Sequence, residues 1–236
     1  MPASKMPVSK MPVSESSQAT SSWYDYPQYF DMAFRDETAG EVAFLEAAFA
    51  KYVQRPTGNG RPHRVADSQS QSRRLYEPGC GSGRLVAAMA ARGHHVVALD
   101  NNQAMLKYLD ARIRRSRRVI QSGGRVELVM GDMTTHHCDP PVDAAFCTFN
   151  TFRHLTTQSA AIAHLRNVAK SIRKGGIYVL GFHCLPLDVD PDSIERWTAS
   201  HGGTKISVTF RVTDFHRRDR LEQIRVSIKA THGDGK

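Results

Sequence analysis

Apolar residues are distributed along the 236-residue chain in three regimes. From Met1 to Ser22 they are sparse: a five-residue unit repeats as Met1-Pro-Ala-Ser-Lys, Met6-Pro-Val-Ser-Lys and Met11-Pro-Val-Ser-Glu, which predicts a disordered low-complexity tail over 1–22. From Leu75 onward short apolar runs alternate with amphipathic segments, the mark of βαβ units around a parallel sheet. Beyond Pro186 and Pro191 the pattern becomes strictly period two: Ile206, Val208, Phe210 and Val212, then Ile224, Val226, Ile228 and Ala230. A half-buried antiparallel pair reads this way.

In the middle regime the predicted strands are Arg74–Tyr76, His95–Leu99, Val126–Met130, Ala144–Phe149 and Ile177–Phe182. Helices fall between them at Arg84–Arg92, at Gln103–Ser116 with Met105, Tyr108, Leu109 and Ile113 on one face, and at Ser159–Lys174, closed by Gly175-Gly176. Ahead of the first strand, Thr38-Ala-Gly-Glu41 has the spacing of a capping box and announces a helix whose buried face holds Val42, Leu45, Phe49 and Tyr52. Between that helix and the strand, 55–74 reads as a surface loop or insertion, rich in Gly, Pro, Ser and Arg. After the last strand a short helical stretch is expected around Trp197.

The fold class is therefore α/β: a doubly wound, mostly parallel sheet with helices on both faces, plus a C-terminal antiparallel hairpin. The expected division is a domain over 23–184 and, over 185–236, a loop, short helix and hairpin that either forms a lid or completes the sheet. Hydrophobic residues make up 40% of the chain, enough to bury a sizeable core. No stretch of about 18 apolar residues occurs and the opening lacks a secretory apolar segment, so the expected location is cytoplasmic and no membrane partner is expected. The four cysteines show no C-x-x-C spacing and read as free thiols.

Formal net charge is +9, with arginines grouped at Arg112, Arg114, Arg115, Arg117 and Arg118 and again at Arg217, Arg218 and Arg220. Such groups can attract phosphate-rich partners, but without interleaved aromatics a solvated helix or hairpin surface is the favoured explanation. His136-His137-Cys138-Asp139 lacks a partner pair, and no metal is expected.

The chemistry concentrates between the first strand and its helix, in Leu75-Tyr-Glu77-Pro-Gly79-Cys80-Gly81-Ser-Gly83. Glycines let this loop turn sharply and let a ligand lie against the backbone beside a helix N-terminus. Counted from Gly79 the spacing is G-x-G-x-G, not the dinucleotide G-x-G-x-x-G. Glu77 directly ahead suits a ligand carrying an ammonium group and would repel a pyrophosphate. About 20 residues past the loop, Asp100 is placed to accept both hydroxyls of a ribose.

Glu77-Pro-Gly79-Cys80-Gly81-Ser-Gly83 resembles motif I of the class I S-adenosylmethionine-dependent methyltransferases, and the resemblance extends over about 23–182. It implies S-adenosyl-L-methionine as cofactor. The glycine loop and Glu77 would hold its methionine end, Asp100 with Asn101 its ribose, and Asp132 with Met133 its adenine. Phe146-Cys-Thr-Phe149-Asn150 resembles the fourth-strand end of small-molecule members, with Asn150 facing cofactor or substrate. An Asn-Pro-Pro-Tyr or Pro-Cys motif is lacking, which weakens the reading as a nucleic-acid methyltransferase. The expected reaction is methyl transfer to an N or O atom of a small molecule; the alternatives are an RNA methyltransferase using the basic surface, or a truncated non-catalytic cofactor-binding domain.

His154 and His183 are candidate general bases, each set against an ordinary structural role, and His154 is the preferred one. Tyr24, Tyr26 and Tyr29 are candidates for an aromatic lid, since a sulfonium is a cation that ring faces attract; packing of the first helix explains them equally well. The family resemblance also implies sixth and seventh strands for which this chain is too short if the hairpin is a lid. That leaves the fifth strand as an open edge, and two copies could pair through that edge or through the C-terminal hairpin.

Overall fold

The computed structural model describes residues 22–54, 72–183 and 194–233. Most of the expected tail and most of the 55–74 loop lie outside these residues. The elements are α1 (Pro27–Phe34), α2 (Thr38–Tyr52), β1 (Arg74–Pro78), α3 (Arg84–Ala90), β2 (His95–Asp100), α4 (Gln103–Arg115), α5 (Arg117–Ser122), β3 (Arg125–Met130), β4 (Val142–Cys147), α6 (Gln158–Ser171), β5 (Ile172–Leu180), β6 (Ile194–His201), β7 (Thr204–His216) and β8 (Leu221–His232).

Strands β1 to β5 form one parallel sheet in the order β3-β2-β1-β4-β5. Period-two alternation sends side chains to both faces, and both are covered. Leu75, Val96, Ala98, Ala144 and Phe146 pack under α2, α3 and α4, while Tyr76, Val97, Leu99 and Ala145 pack with Val168 of α6. Each fully buried aliphatic or aromatic side chain contributes about 1.5–3 kcal/mol. The chain leaves β1 toward β2 and later returns to β4 on β1's other side, so a crevice opens at the carboxyl ends of β1 and β4, where ligands of such sheets bind.

Several elements differ from the sequence expectation. Thr38 and Glu41 do not cap α2; the residue before the helix is Glu37 and it makes no side-chain cap. Both side chains instead hydrogen-bond Arg84. Tyr52 is exposed rather than buried. The Gln103 helix ends where expected, but a further short helix, α5, follows it, started by the Ser116 hydroxyl, which accepts from the Val119 N–H.

Helix α6 stops at Ser171, and Ile172–Lys174 already belong to β5. Gly175-Gly176 is therefore a bulge within the strand, not a helix stop: between Ile172, opposite Val142, and Ile177, opposite Ala144, the register slips. A Cβ on Gly176 would lie 2.5 Å from the Asp143 carbonyl, and Gly175 has φ +81°. Only glycine fits both positions.

Trp197 sits on a strand, not a helix, and the expected hairpin is a three-stranded antiparallel sheet, β6-β7-β8. It is separate from the parallel sheet and does not extend it, so β5 ends the five-strand order. One face, with Trp197, Ile206, Val208 and Val212, turns toward the larger sheet's helices, and the Trp197 indole N–H donates to the Ala33 carbonyl of α1 at 3.1 Å. No helix among the described residues is long and apolar enough to cross a membrane.

Candidate active site

Between the carboxyl ends of the parallel strands and the antiparallel sheet lies one cleft of about 3420 Å³. That is several times the volume of a typical small-ligand pocket, about 300–1,000 Å³, and leaves room for two molecules side by side. Glu77, Gly79, Cys80, Gly81, Asp100, Asn101, Asp132, Met133, Phe149, Asn150, His154 and Tyr24 all line it. Gly83, Tyr26 and Tyr29 do not. Tyr26 and Tyr29 stack on each other, with ring centroids 6.2 Å apart, so the expected lid reduces to Tyr24.

The β1–α3 loop turns by placing Gly79, Gly81 and Gly83 at φ +68°, +54° and +68°, a conformation that costs other residues roughly 1–2 kcal/mol each. The three glycines have different neighbours. A Cβ on Gly79 would lie 2.4 Å from Thr151 Cγ2, whereas one on Gly83 would lie 2.2 Å from Leu109 Cδ1 of α4. Gly83 is thus a packing glycine. The loop is pinned to β2 by the Cys80 N–H, which donates to the Leu99 carbonyl at 2.9 Å, and by the Gly81 N–H, which donates to Asp100 at 2.7 Å.

Asp100 takes a second backbone N–H, from Asn102, on its other oxygen at 2.8 Å. Each oxygen keeps a lone pair for a further donor. Burial raises its pKa, against these backbone hydrogen bonds, which lower it. Asp132 is exposed and held in place by the Thr134 N–H and hydroxyl, at 2.7 and 2.8 Å, and those bonds keep its pKa low. Met133 is fixed through its carbonyl, which accepts from Nδ1 of the fully buried His164 at 3.1 Å; Nε2 of that ring then accepts from the Tyr178 hydroxyl at 2.8 Å.

Glu77 is only 7% exposed, and among the described residues its Oε2 has no hydrogen-bond partner. Burial pushes its pKa well above the usual carboxylate range; the Arg84 guanidinium opposes this and Glu41 and Asp100 reinforce it. A buried carboxylate oxygen with no donor is costly unless a ligand supplies one. Beside it, only Gly81 keeps free space at its Cβ position, with no atom nearer than 3.6 Å, since Thr151 and Leu109 fill those of Gly79 and Gly83. A ligand with an ammonium group and a ribose fits this set.

Sequence reasoning missed the scaffold beneath. Arg84 ion-pairs with Glu41, Glu41 also accepts from the Thr148 hydroxyl at 2.9 Å, and the guanidinium lies 4.7 Å from the Phe149 ring centroid. Phe149 and Asn150 both adopt φ +64°, strained for a bulky residue and worth about 1–3 kcal/mol each. Arg84 and Phe34, whose ring is 4.4 Å from that of Phe149, brace the turn. Asn150 is tied to His183 by two hydrogen bonds, 3.0 and 2.7 Å.

A second network is centred on Asp31 of α1, 1% exposed, which pairs with Arg35 and Arg112 and accepts from Ser82 and Tyr108. It locks α1 and the aromatic segment after Trp23 onto the glycine loop and α4. Arg112 is thereby committed inside the fold rather than displayed with the other arginines.

Also lining the cleft, the Tyr24 hydroxyl and His154 Nε2 share a hydrogen bond of 3.0 Å. Burial first, and then Arg153, lower the His154 pKa, against Asp100, so the ring is neutral at neutral pH and able to accept a proton. The neighbouring Arg153 ion-pairs with Glu222 at the start of β8 and so ties the antiparallel sheet to the β4 end.

A doubly wound sheet whose first loop is G-x-G-x-G, with an acid before the loop and acids after β2 and β3 around one cleft, defines a nucleoside-sulfonium-dependent transferase rather than a dinucleotide oxidoreductase. A family model described as a methyltransferase domain matches residues 76–176. Cypemycin N-terminal methyltransferase of a Streptomyces species is 31% identical over 210 residues, covering 86% of this chain and 76% of the relative. Among solved structures, DesVI of Streptomyces venezuelae superposes with a TM-score of 0.63 at 12% identity, over 88% of this chain and 81% of that one. CalS10, an amino pentose methyltransferase from Micromonospora echinaspora solved with S-adenosylmethionine bound, gives 0.58 at 21%, over 88% and 84%.

The chain belongs to the class I S-adenosylmethionine-dependent methyltransferases. It is an enzyme, and its cofactor is S-adenosylmethionine, which supplies a methyl group on a sulfonium open to in-line displacement. Glu77 would receive the ammonium, Asp100 the ribose hydroxyls, and Asp132 with Met133 the adenine edge.

Proposed function

We propose that this enzyme methylates an amine nitrogen of a small natural-product or peptide acceptor. The observation that carries this reading is the cleft itself, which sets the cofactor-fitting Glu77, Asp100 and Asp132 on one side and a neutral His154 beside them. An amine reaches neutral solution as an ammonium and must lose a proton before its lone pair can attack. His154 would accept that proton and free the amine's lone pair, and S-adenosylmethionine, when bound, would supply the electrophilic methyl and take up the electron pair of its C–S bond. Relatives point the same way: an N-terminal methyltransferase, an amino pentose methyltransferase and a sugar N-methyltransferase.

Positioning of the acceptor between Tyr24 and the antiparallel sheet would supply much of the rate. Mass spectrometry of reactions with S-adenosylmethionine tests the reading on matched acceptors: a short peptide with a free N-terminus, its N-acetylated form, an amino sugar and the corresponding hydroxy sugar. Methylation is expected on an amine and absent from its acetylated or hydroxy counterpart. Equal methylation of the hydroxy sugar would refute the amine assignment.

A further inference from the structure

The acids and the arginines that line the cleft come mostly from different parts of the fold. The wall built by the parallel sheet and α2 presents Glu37, Glu41, Glu77 and Asp100, whereas the β7–β8 turn presents Arg217-Arg218-Asp219-Arg220. All four turn residues are exposed, and among the described residues neither Arg218 nor Arg220 forms an ion pair with an acid. The turn has a fixed place. Glu222, two residues past Arg220, is 10% exposed and paired with Arg153, which directly precedes His154. Two extended residues span roughly 7 Å, so the turn borders the cleft close to the Arg153–His154 segment.

Guanidinium forks recognise carboxylate and phosphate oxygens by paired, charge-assisted hydrogen bonds. An anion there would be held away from the acidic wall that takes the cationic end of the cofactor. We propose that the acceptor carries an anionic group, a carboxylate or a phosphate ester, which Arg218 and Arg220 bind while its amine faces His154. This rests on the amine reading above and names the second recognition element of the same molecule. Specificity then comes from the distance between amine and anion.

The test uses the full chain saturated with S-adenosylhomocysteine and calorimetric titration of two probes, pyrophosphate and the dicarboxylate glutarate. At least one should bind, and R218A/R220A should weaken it by about tenfold or more while S-adenosylhomocysteine affinity stays within about twofold. Preference for pyrophosphate assigns a phosphate ester, and preference for glutarate a carboxylate. Arg211→Ala with Lys229→Ala removes the same charge from exposed positions that do not line the cleft. Binding of neither probe, or equal weakening by both double variants, overturns the proposal. Failure of S-adenosylhomocysteine to bind would instead strike the functional reading.

Discussion

Glu77 connects cofactor binding to pH in a way that calorimetry can read. Without a ligand its carboxyl is buried, has one oxygen unpartnered, and has its pKa raised well above the ordinary carboxylate range, chiefly by desolvation. An arriving ammonium favours the charged form. Below the raised value, binding must therefore expel a proton, and cofactor affinity should rise by up to about tenfold per pH unit until the unliganded group ionises. Titration of S-adenosylhomocysteine in buffers of different ionisation enthalpy counts that proton.

Glu77→Gln keeps the shape and removes both the charge and the proton. A charge-assisted hydrogen bond contributes about 1.5–3 kcal/mol, so affinity should fall about 10- to 100-fold and become flat with pH below 7. Stability moves the other way. Because the folded pKa lies above the unfolded one, ionisation favours the unfolded chain as pH rises from about 4.5 toward the folded value, and the unliganded Gln variant should melt no lower than the parent near pH 7. Unchanged affinity in the variant, or no proton release from the parent at acidic pH, would refute the reasoning.

Gly83→Ala should destabilise by about 2–4 kcal/mol, since left-handed backbone costs 1–2 kcal/mol and the new methyl collides with Leu109; thermal melting checks this. Asp31→Asn should cost about 2–4 kcal/mol at pH 7 by leaving Arg112 and Arg35 without their carboxylate. Burial raises the Asp31 pKa but the two arginines outweigh it and the net shift is downward, so that stabilisation is present above about pH 4 and fades as pH falls through the lower folded value; denaturant melts from pH 7 to 3 should show the parent and variant converging. His154→Gln should lower kcat by about 10²-fold or more with cofactor affinity within about twofold. In the parent, kcat/KM should rise with pH through an acid limb below the usual histidine value of about 6.5, because desolvation depresses the His154 pKa, and an unaltered acid limb in the variant would assign it to another group.

What the sequence disclosed follows from how far each signal reaches. The five parallel strands, the glycine loop, and Asp100 and Asp132 at strand ends were legible because period-two runs, glycine spacing and strand-end acids are local patterns. The antiparallel strands β7 and β8 were equally plain, since their apolar face alternates without interruption. Strand β6 was not. Its segment, Ile194-Glu-Arg-Trp-Thr-Ala-Ser-His201, has only Ile194, Trp197 and Ala199 as apolar members, and its pairing with β7 supplies hydrogen bonds that no local pattern announces. Gly175-Gly176 likewise reads as a helix stop until β4 is laid beside it and the slipped register appears.

The supporting acids and bases failed for the same reason in stronger form. Glu41 stands three residues after Thr38, so a local rule claims it for helix capping, yet the structure gives it to Arg84, 43 positions away, and to Thr148, 107 positions away. Asp31 and Arg112 are 81 positions apart, and neither has a neighbour that hints at the other. Glu77 was legible because it directly precedes the glycine loop, and among the described residues its second oxygen has no partner. In this fold the groups proposed to hold the cofactor lie where the backbone turns, which sequence spacing records. The groups that hold those turns rigid are chosen by contacts between distant segments, and a reading of residues one window at a time assigns them to surfaces and caps.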